Sequence, residues 1–445
     1  MRGPAKPSRR GFLAATIATA AGSALAAQRA AADTAMLPAP AGGGVEPFWG
    51  AHQGGIATAP QRHAVFAAFD LAAPTRADVA ALLRAWSAAA ARMAAGKTAQ
   101  PLADPLQAAV APDHHAAKGG DAYDAPTPAM AADTGEALGL PAARLTVTFG
   151  FGAGLFTKSG QDRYGLAAQR PAALVELPKF VGDELVDGHT GGDLAVQACA
   201  DDPQVAFHAV RQLARIAAGA ATMRWAQTGF LPDRVGDATP RNLMGFKDGT
   251  INPSIGDPKV MEQVVWVGSE GPAWMRGGSY VVVRRIRFAI EHWDRMKIAF
   301  QEQTFGRHKY SGAPLGGKNE FDPPNLQATD KDGNPVIAEN AHIRLAAAAT
   351  NGGAQILRRP YSYNNGVNFT AERWPPWRQG LEYDAGLLFI CYQRDPRTGF
   401  IKIFDRLSKF DLLNQFVTHV GSGLFACPGG AAAGEFVGQR LFEKA

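Results

Sequence analysis

Cysteine is scarce in this chain. Its 445 residues include three, Cys199, Cys391 and Cys427, odd in number and far apart, which excludes a disulfide framework and a cysteine-built zinc site. Surplus charge is scarce as well. The net charge is +5, and Arg2, Lys6, Arg9 and Arg10 supply four of those charges within the first ten residues. The rest is close to balance, leaves no basic footprint for a phosphate backbone, and excludes nucleic acid as a partner. Long hydrophobic runs are missing too. Residues 14–26 are apolar but mostly alanine, too short and too mild for a stable membrane span, and no later segment qualifies. What is present is 46% apolar and 19% charged residues, enough for a sizeable core. At this length, two ordinary domains or one duplicated domain are expected.

Ser8-Arg9-Arg10-Gly11-Phe12-Leu13 stands before that mild apolar run, and Ala24-Leu25-Ala26 or Ala30-Ala31-Ala32 offers a small-residue cleavage site. Paired arginines ahead of a weak apolar segment predict a twin-arginine export signal over residues 1–32, and hence a periplasmic or extracellular protein. Such export carries folded chains, which points to a prosthetic group inserted before export. Residues 33–57, rich in Ala, Pro and Gly, read as a flexible tether.

Beyond the tether the pattern is strand and helix in alternation. His63 to Leu71 reads as a strand, and Thr75 and Asp78 open a helix through Leu82, Leu83, Trp86 and Met93. Residues 96–142 read as a loop; His114 and His115 lie there without a third metal ligand. Strands follow over 145–156, 194–200 and 222–230, with a helix over 203–218. The second half repeats the plan: a strand over 279–288, a helix over 289–305, a strand over 387–393 and a helix over 396–407. An offset of 193 lays Asp202-Pro203 on Asp395-Pro396 and Phe207 on Phe400. The fold class is therefore α+β, built from duplicated ferredoxin-like units over residues 58–235 and 236–445.

Two stretches stand out from this scaffold. Met244-Gly245-Phe246-Lys247-Asp248-Gly249-Thr250-Ile251-Asn252-Pro253 places one acid in a glycine-bracketed turn, where another molecule can come close to the backbone. Most such turns only cap their own backbone; here the second stretch offers Asp248 a partner. It runs from Phe305-Gly306-Arg307-His308 through His342-Ile343-Arg344-Leu345 to Leu357-Arg358-Arg359-Pro360-Tyr361. A five-coordinate haem needs one neutral imidazole, apolar walls and polar groups opposite. Arginines suit its propionates. No Cys-x-x-Cys-His is present, so such a haem is not thioether-linked.

The ordered set of Gly-Phe-Lys-Asp-Gly-Thr at 245–250, Gly-Arg-x-Lys-x-Ser-Gly-Ala-Pro-Leu-Gly at 306–316, His-Ile-Arg-Leu-Ala at 342–346, Leu-Arg-Arg-x-Tyr-Ser-Tyr at 357–363, Leu-Leu-Phe-Ile-Cys-Tyr-Gln-Arg-Asp at 387–395 and Gly-Ser-Gly-Leu-Phe-Ala-Cys-Pro-Gly-Gly at 421–430 resembles the dye-decolourising (DyP-type) peroxidases. The exported deferrochelatase/peroxidase subgroup is the nearest in pattern. The resemblance implies a dimeric α+β barrel fold and one non-covalent haem b per chain. It makes His342 the iron ligand, Asp248 the distal acid and Arg358 the distal arginine. Asp395 is the choice for the carboxylate behind His342, with Asp405 and Asp411 as alternatives. Arg344 and Arg307 become propionate partners, Leu387 and Phe389 distal walls, and Asn252 a residue orienting distal water or peroxide. Trp374 and Trp377 are candidates for passing electrons from a surface donor, although packing is their commoner role.

The implied activity is reduction of hydrogen peroxide and oxidation of bulky dye-like or phenolic donors through a ferryl intermediate. An aspartate base weights that activity to acidic pH. Two other functions compete: release of iron from haem with the porphyrin left intact, within an iron-uptake system of membrane partners, and haem carriage without catalysis. Carriage needs neither a distal acid nor a distal cation, and the chain has both. Further copies of the chain are candidate partners.

Overall fold

The computed structural model describes residues 44–102, 132–233, 239–371 and 379–443. The export signal, His114, His115, Trp374 and Trp377 lie outside the described residues.

Nine strands form one antiparallel sheet: β1 (His63–Leu71), β2 (Thr146–Phe151), β3 (Leu194–Ala200), β4 (Ala221–Phe230), β5 (Ser279–Phe288), β6 (Leu357–Arg358), β7 (Tyr361–Ala371), β8 (Gln379–Gln393) and β9 (Val417–Cys427). Their order is β5-β9-β2-β3-β1-β4-β7-β8-β6, and β5 also pairs with β8, so the sheet closes on itself as a barrel. Within it β4-β1-β3-β2 and β7-β8-β5-β9 each show the ferredoxin-like order, which is the duplication in spatial form. The halves meet at two narrow seams, Phe151 opposite Ala426 and Phe230 opposite Ser362.

Closure explains why β1, β2 and β3 are buried along their whole length almost without alternation. In β1, Val65, Ala67 and Phe69 face a helix-covered core, while Ala64, Phe66 and Ala68 face the barrel interior. Small residues on the inner face leave room for Trp225, Tyr361, Tyr392 and Phe425 from other strands. The outer face of the first half is covered by α1 (Arg76–Ala94) and α2 (Pro203–Ile216). Thr75 and Asp78 form a capping box at the start of α1. Asp202 accepts from the amides of Gln204 and Val205 ahead of Pro203 at the start of α2.

The second half is covered less evenly, and this creates the site. The single helix expected over 289–305 is broken into α3 (Ile290–Trp293) and α4 (Ile298–Phe305). Lys297 is extended at the break, and the Gln301 amide serves the carbonyls of Trp293 and Met296. A short α5 (His342–Ala346) and α6 (Phe400–Phe410) complete the layer. The helix expected from Pro396 begins only at Phe400, because Asp395 binds the amide and guanidinium of Arg397 and holds residues 395–399 in a turn. The strand expected over 145–156 ends at Phe151. Gly152 follows it, where a side chain would meet the Gly192 carbonyl at 2.1 Å.

The tether expected through residue 57 is also corrected. The His52 ring stacks on Trp266 at 3.8 Å. The Gln53 amide exchanges hydrogen bonds with Phe149 and donates to the Pro428 carbonyl, and Ile56 is buried in the barrel-interior cluster. Gly55 lies against Thr148 and Gln197, too close for any side chain. A composition that suggests flexibility therefore belongs to a strap threaded into the barrel.

Candidate functional site

His342 opens α5, directly after an extended Ala341. Its Nδ1 lies 2.6 Å from Oδ2 of Asp411, while the other Asp411 oxygen accepts from the amide of Leu413. Because a carboxylate only accepts, Nδ1 carries the proton, and Nε2 is left as the nitrogen with a lone pair. Among the described residues no hydrogen-bond partner meets Nε2. Burial pulls the His342 pKa down, but the charge and hydrogen bond of Asp411 outweigh it and leave the pKa raised; Arg358 opposes the rise and Asp248 adds to it. His342 thus feels both distal residues.

Asp248 and Arg358 form a partly buried ion pair at 3.1 Å. The turn that carries Asp248 has positive φ at Gly245 (85°) and Gly249 (115°), and a side chain at Gly245 would run into Lys309. Inside the turn Asn242 caps the amides of Met244 and Phe246, and the Asp248 amide donates to Pro240. Lys247 faces away, toward Glu320 and the Thr239 carbonyl. Arg358 sits on the two-residue β6, opposite Cys391. The Asn252 amide clamps it, donating to the Arg358 carbonyl and accepting from the Arg358 amide, each at 2.8 Å.

The walls are apolar. Phe305 meets the His342 ring at 6.0 Å and stacks on Phe246 at 4.0 Å. Trp293 and Phe416 pack beside them, with Leu387 and Phe389 at the edge of the same cluster. Phe389 also touches the neighbouring cluster of Phe180, Phe400 and Phe404. Arg344 donates through Nε and Nη2 to the carbonyls of Ile337 and Ala338. Arg307 is 5% exposed and donates through Nη1 to Gly312 and Glu320. Burial lowers the Arg307 pKa; Glu320 opposes this, and Arg358 adds to the lowering.

The fold therefore brings together His342, Asp248, Arg358, Asn252, Leu387 and Phe389, with Arg307 in electrostatic reach of Arg358. Two expectations are corrected. Asp395 does not reach His342: its carboxylate is taken by Arg397 on the surface. Asp405 pairs with Lys409, and the carboxylate behind the imidazole is Asp411. Asn252 spends both ends of its amide on the Arg358 main chain instead of on a distal ligand. The Phe305–Phe246 stack and Asp411's position were not legible beforehand. The one available signal for Asp411 was its place at the end of an amphipathic helix, where an acid caps the next turn.

These residues fit a haem. One imidazole nitrogen is free and its partner nitrogen is fixed by a carboxylate, as for a metal-ligating histidine. Apolar rings flank it, and an acid and a permanent cation lie within electrostatic reach.

Comparison with known proteins agrees. The family model "Dyp-type peroxidase, N-terminal" matches residues 53–231 and "Dyp-type peroxidase, C-terminal" matches residues 239–432. The chain is 44% identical to a dye-decolorizing peroxidase of Thermobifida fusca, over 68% of this chain and 69% of that one. It is 35% identical to a deferrochelatase of Shigella flexneri, over 98% and 97% of the two chains. Ferric DtpA from Streptomyces lividans superposes with a TM-score of 0.77 at 41% identity, covering 91% of this chain and 98% of that one.

Proposed function

The chain belongs to the Dyp-type peroxidase family, a haem-dependent oxidoreductase acting on peroxide, and from that premise we propose that His342 is its iron ligand and that Asp248 and Arg358 are its peroxide-handling pair. Bound haem supplies the redox chemistry, passing the oxidising equivalents of peroxide to an electron donor. The protein does the rest. His342 holds the iron through Nε2, and Asp411 keeps the proton on Nδ1 and makes the ring a stronger electron donor. Asp248 takes the proton from one peroxide oxygen and returns it to the other, so that water can leave. Arg358, always charged, steadies negative charge as the O–O bond breaks. Asn252 fixes the main chain of Arg358. Arg344 through Nη1 and Arg307 through its remaining N–H groups would pair with the propionates, and Leu387 and Phe389 would wall the pocket.

The observation that carries this reading is proximity. His342 is bonded to Asp411 at 2.6 Å, and the Asp248–Arg358 pair is near enough to influence it. The test is the absorption spectrum of haem-loaded protein before and after one equivalent of hydrogen peroxide, in the parent and in His342→Ala. The parent spectrum shifts and returns on adding a phenolic donor. An unchanged Soret band in His342→Ala would remove His342 as the ligand.

The donors are bulky dye-like or phenolic molecules, and the twin-arginine segment delivers the folded holoprotein to the periplasm. A second reading, iron release from haem, is favoured by the nearly full-length match to proteins named deferrochelatase. Incubation with haem under reducing and oxidising conditions tests it. Metal-free protoporphyrin is the expected product, and its absence under both conditions dismisses that role.

A further inference from the structure

Arg359, the residue after Arg358, is a buried charge to which the peroxide chemistry gives no task. It is 2% exposed, and strand alternation turns it away from Arg358 into the barrel. Among the described residues no carboxylate pairs with it. Its Nη1 donates to the Thr58 carbonyl and its Nη2 to Oε1 of Gln61, while Nε is buried without a partner. Both acceptors lie in the segment that continues the N-terminal strap to β1, and Cys199 and Tyr361 of the barrel wall also interact with the guanidinium. Gln61 is fully buried, and its amide nitrogen donates to the Arg144 carbonyl at 2.7 Å and to Oγ1 of Thr146 at 3.1 Å. Those two bonds fix which end of the amide faces Arg359.

A guanidinium taken out of water holds its place only while acceptors meet it, and losing one acceptor costs more than the bond was worth. The segment Leu357–Arg358 and its neighbour Arg359 are thus gripped from two sides. Asn252 holds the Arg358 main chain at the site, the Arg359 amide donates to the Ile390 carbonyl at 2.7 Å, and the strap holds the Arg359 side chain inside the barrel. Arg358 extends from this segment to Asp248. We propose that Gln61 is a positioning residue for the distal arginine: by anchoring Arg359 it sets where Arg358 meets Asp248, so that the N-terminal strap completes the peroxide site. This rests on the assignment of Arg358 made above.

The test uses haem-loaded Gln61→Leu, which keeps the volume without the acceptor, and Gln61→Asn, which keeps the amide one methylene short. Arg358→Leu is the reference. Two quantities are read: the second-order rate constant with hydrogen peroxide, and the fluoride dissociation constant of the ferric protein, an equilibrium measure of a cation facing a bound anion. In Gln61→Leu and Gln61→Asn the rate constant falls about tenfold to a hundredfold, as for displacement of a catalytic group by a distant change. Fluoride binding weakens alongside, while haem stoichiometry and the Soret band stay as in the parent. Parent-like values in Gln61→Leu and Gln61→Asn beside a slow Arg358→Leu overturn the positioning role alone. A parent-like Arg358→Leu overturns the assignment beneath it. Loss of haem loading in both Gln61 variants assigns Gln61 to folding and overturns the proposal.

Discussion

One carboxylate, Asp411, serves two masters: Oδ2 receives the Nδ1 proton of His342 at 2.6 Å, and Oδ1 caps the amide of Leu413. The imidazole is thereby tied to the turn that ends α6, across 69 residues of sequence.

Replacing Asp411 by Asn keeps the cap and a polar neighbour but removes the negative charge behind the ring. His342 then donates less electron density to iron. The expected outcome is a haem-loaded protein whose Fe(III)/Fe(II) midpoint potential rises and whose haem affinity drops about tenfold to a hundredfold. Spectroelectrochemistry and a haem titration check it. An unmoved potential would mean that the carboxylate only orients the ring.

Asp248→Asn preserves shape and hydrogen bonding to Arg358 while removing the proton acceptor. The rate constant with hydrogen peroxide should fall by about a hundredfold to ten-thousandfold, with haem content and the resting spectrum unchanged. Stopped-flow absorbance at the Soret band measures this. A parent-like rate would take Asp248 out of the proton transfer.

Asn252→Leu leaves the amide and carbonyl of Arg358 without their side-chain partner. Both are partly buried, so the loss costs about 1–3 kcal/mol in unfolding free energy, and Arg358 is displaced as well. Urea unfolding and the peroxide rate constant together check it: both should fall. Asn252→Asp, which still accepts from the Arg358 amide, should lose less stability.

How much of this was legible depended on where the determinants lie. Strands β1, β3 and β5 were readable to the residue, since closure of the barrel buries both of their faces and leaves them rich in apolar residues. Thr75 with Asp78 and Asp202 with Pro203 announced their helices through local capping chemistry. Asp395 was chosen over Asp405 and Asp411, but its nearest cation, Arg397, lies only two residues away and takes its carboxylate. The strap misled through its composition. Alanine, proline and glycine suggest a tether, but Gly55 is there because the barrel wall leaves no room for a side chain. Arg358 and Arg359 looked like one basic pair, yet the period of a strand sends them to opposite faces.

The last prediction concerns acid stability. His419 on β9 is buried beside Arg284, whose Nε lies 3.2 Å from its Nδ1. Arg284 also pairs with Asp183 and lies between the rings of Phe180 and Phe404. Burial, then the charge of Arg284, push the His419 pKa well below its ordinary value of 6.5. The unfolded chain therefore takes up a proton near pH 6.5 that the folded chain refuses until the pH is far lower. Stability falls as the pH drops through this window, by at most about 1.4 kcal/mol per pH unit from this one group. His419→Gln offers Arg284 an uncharged acceptor and cannot titrate. Urea unfolding of the holoprotein at pH 7.5 and pH 5.5 should show a smaller acid loss in the variant than in the parent. Equal losses would place the proton uptake elsewhere.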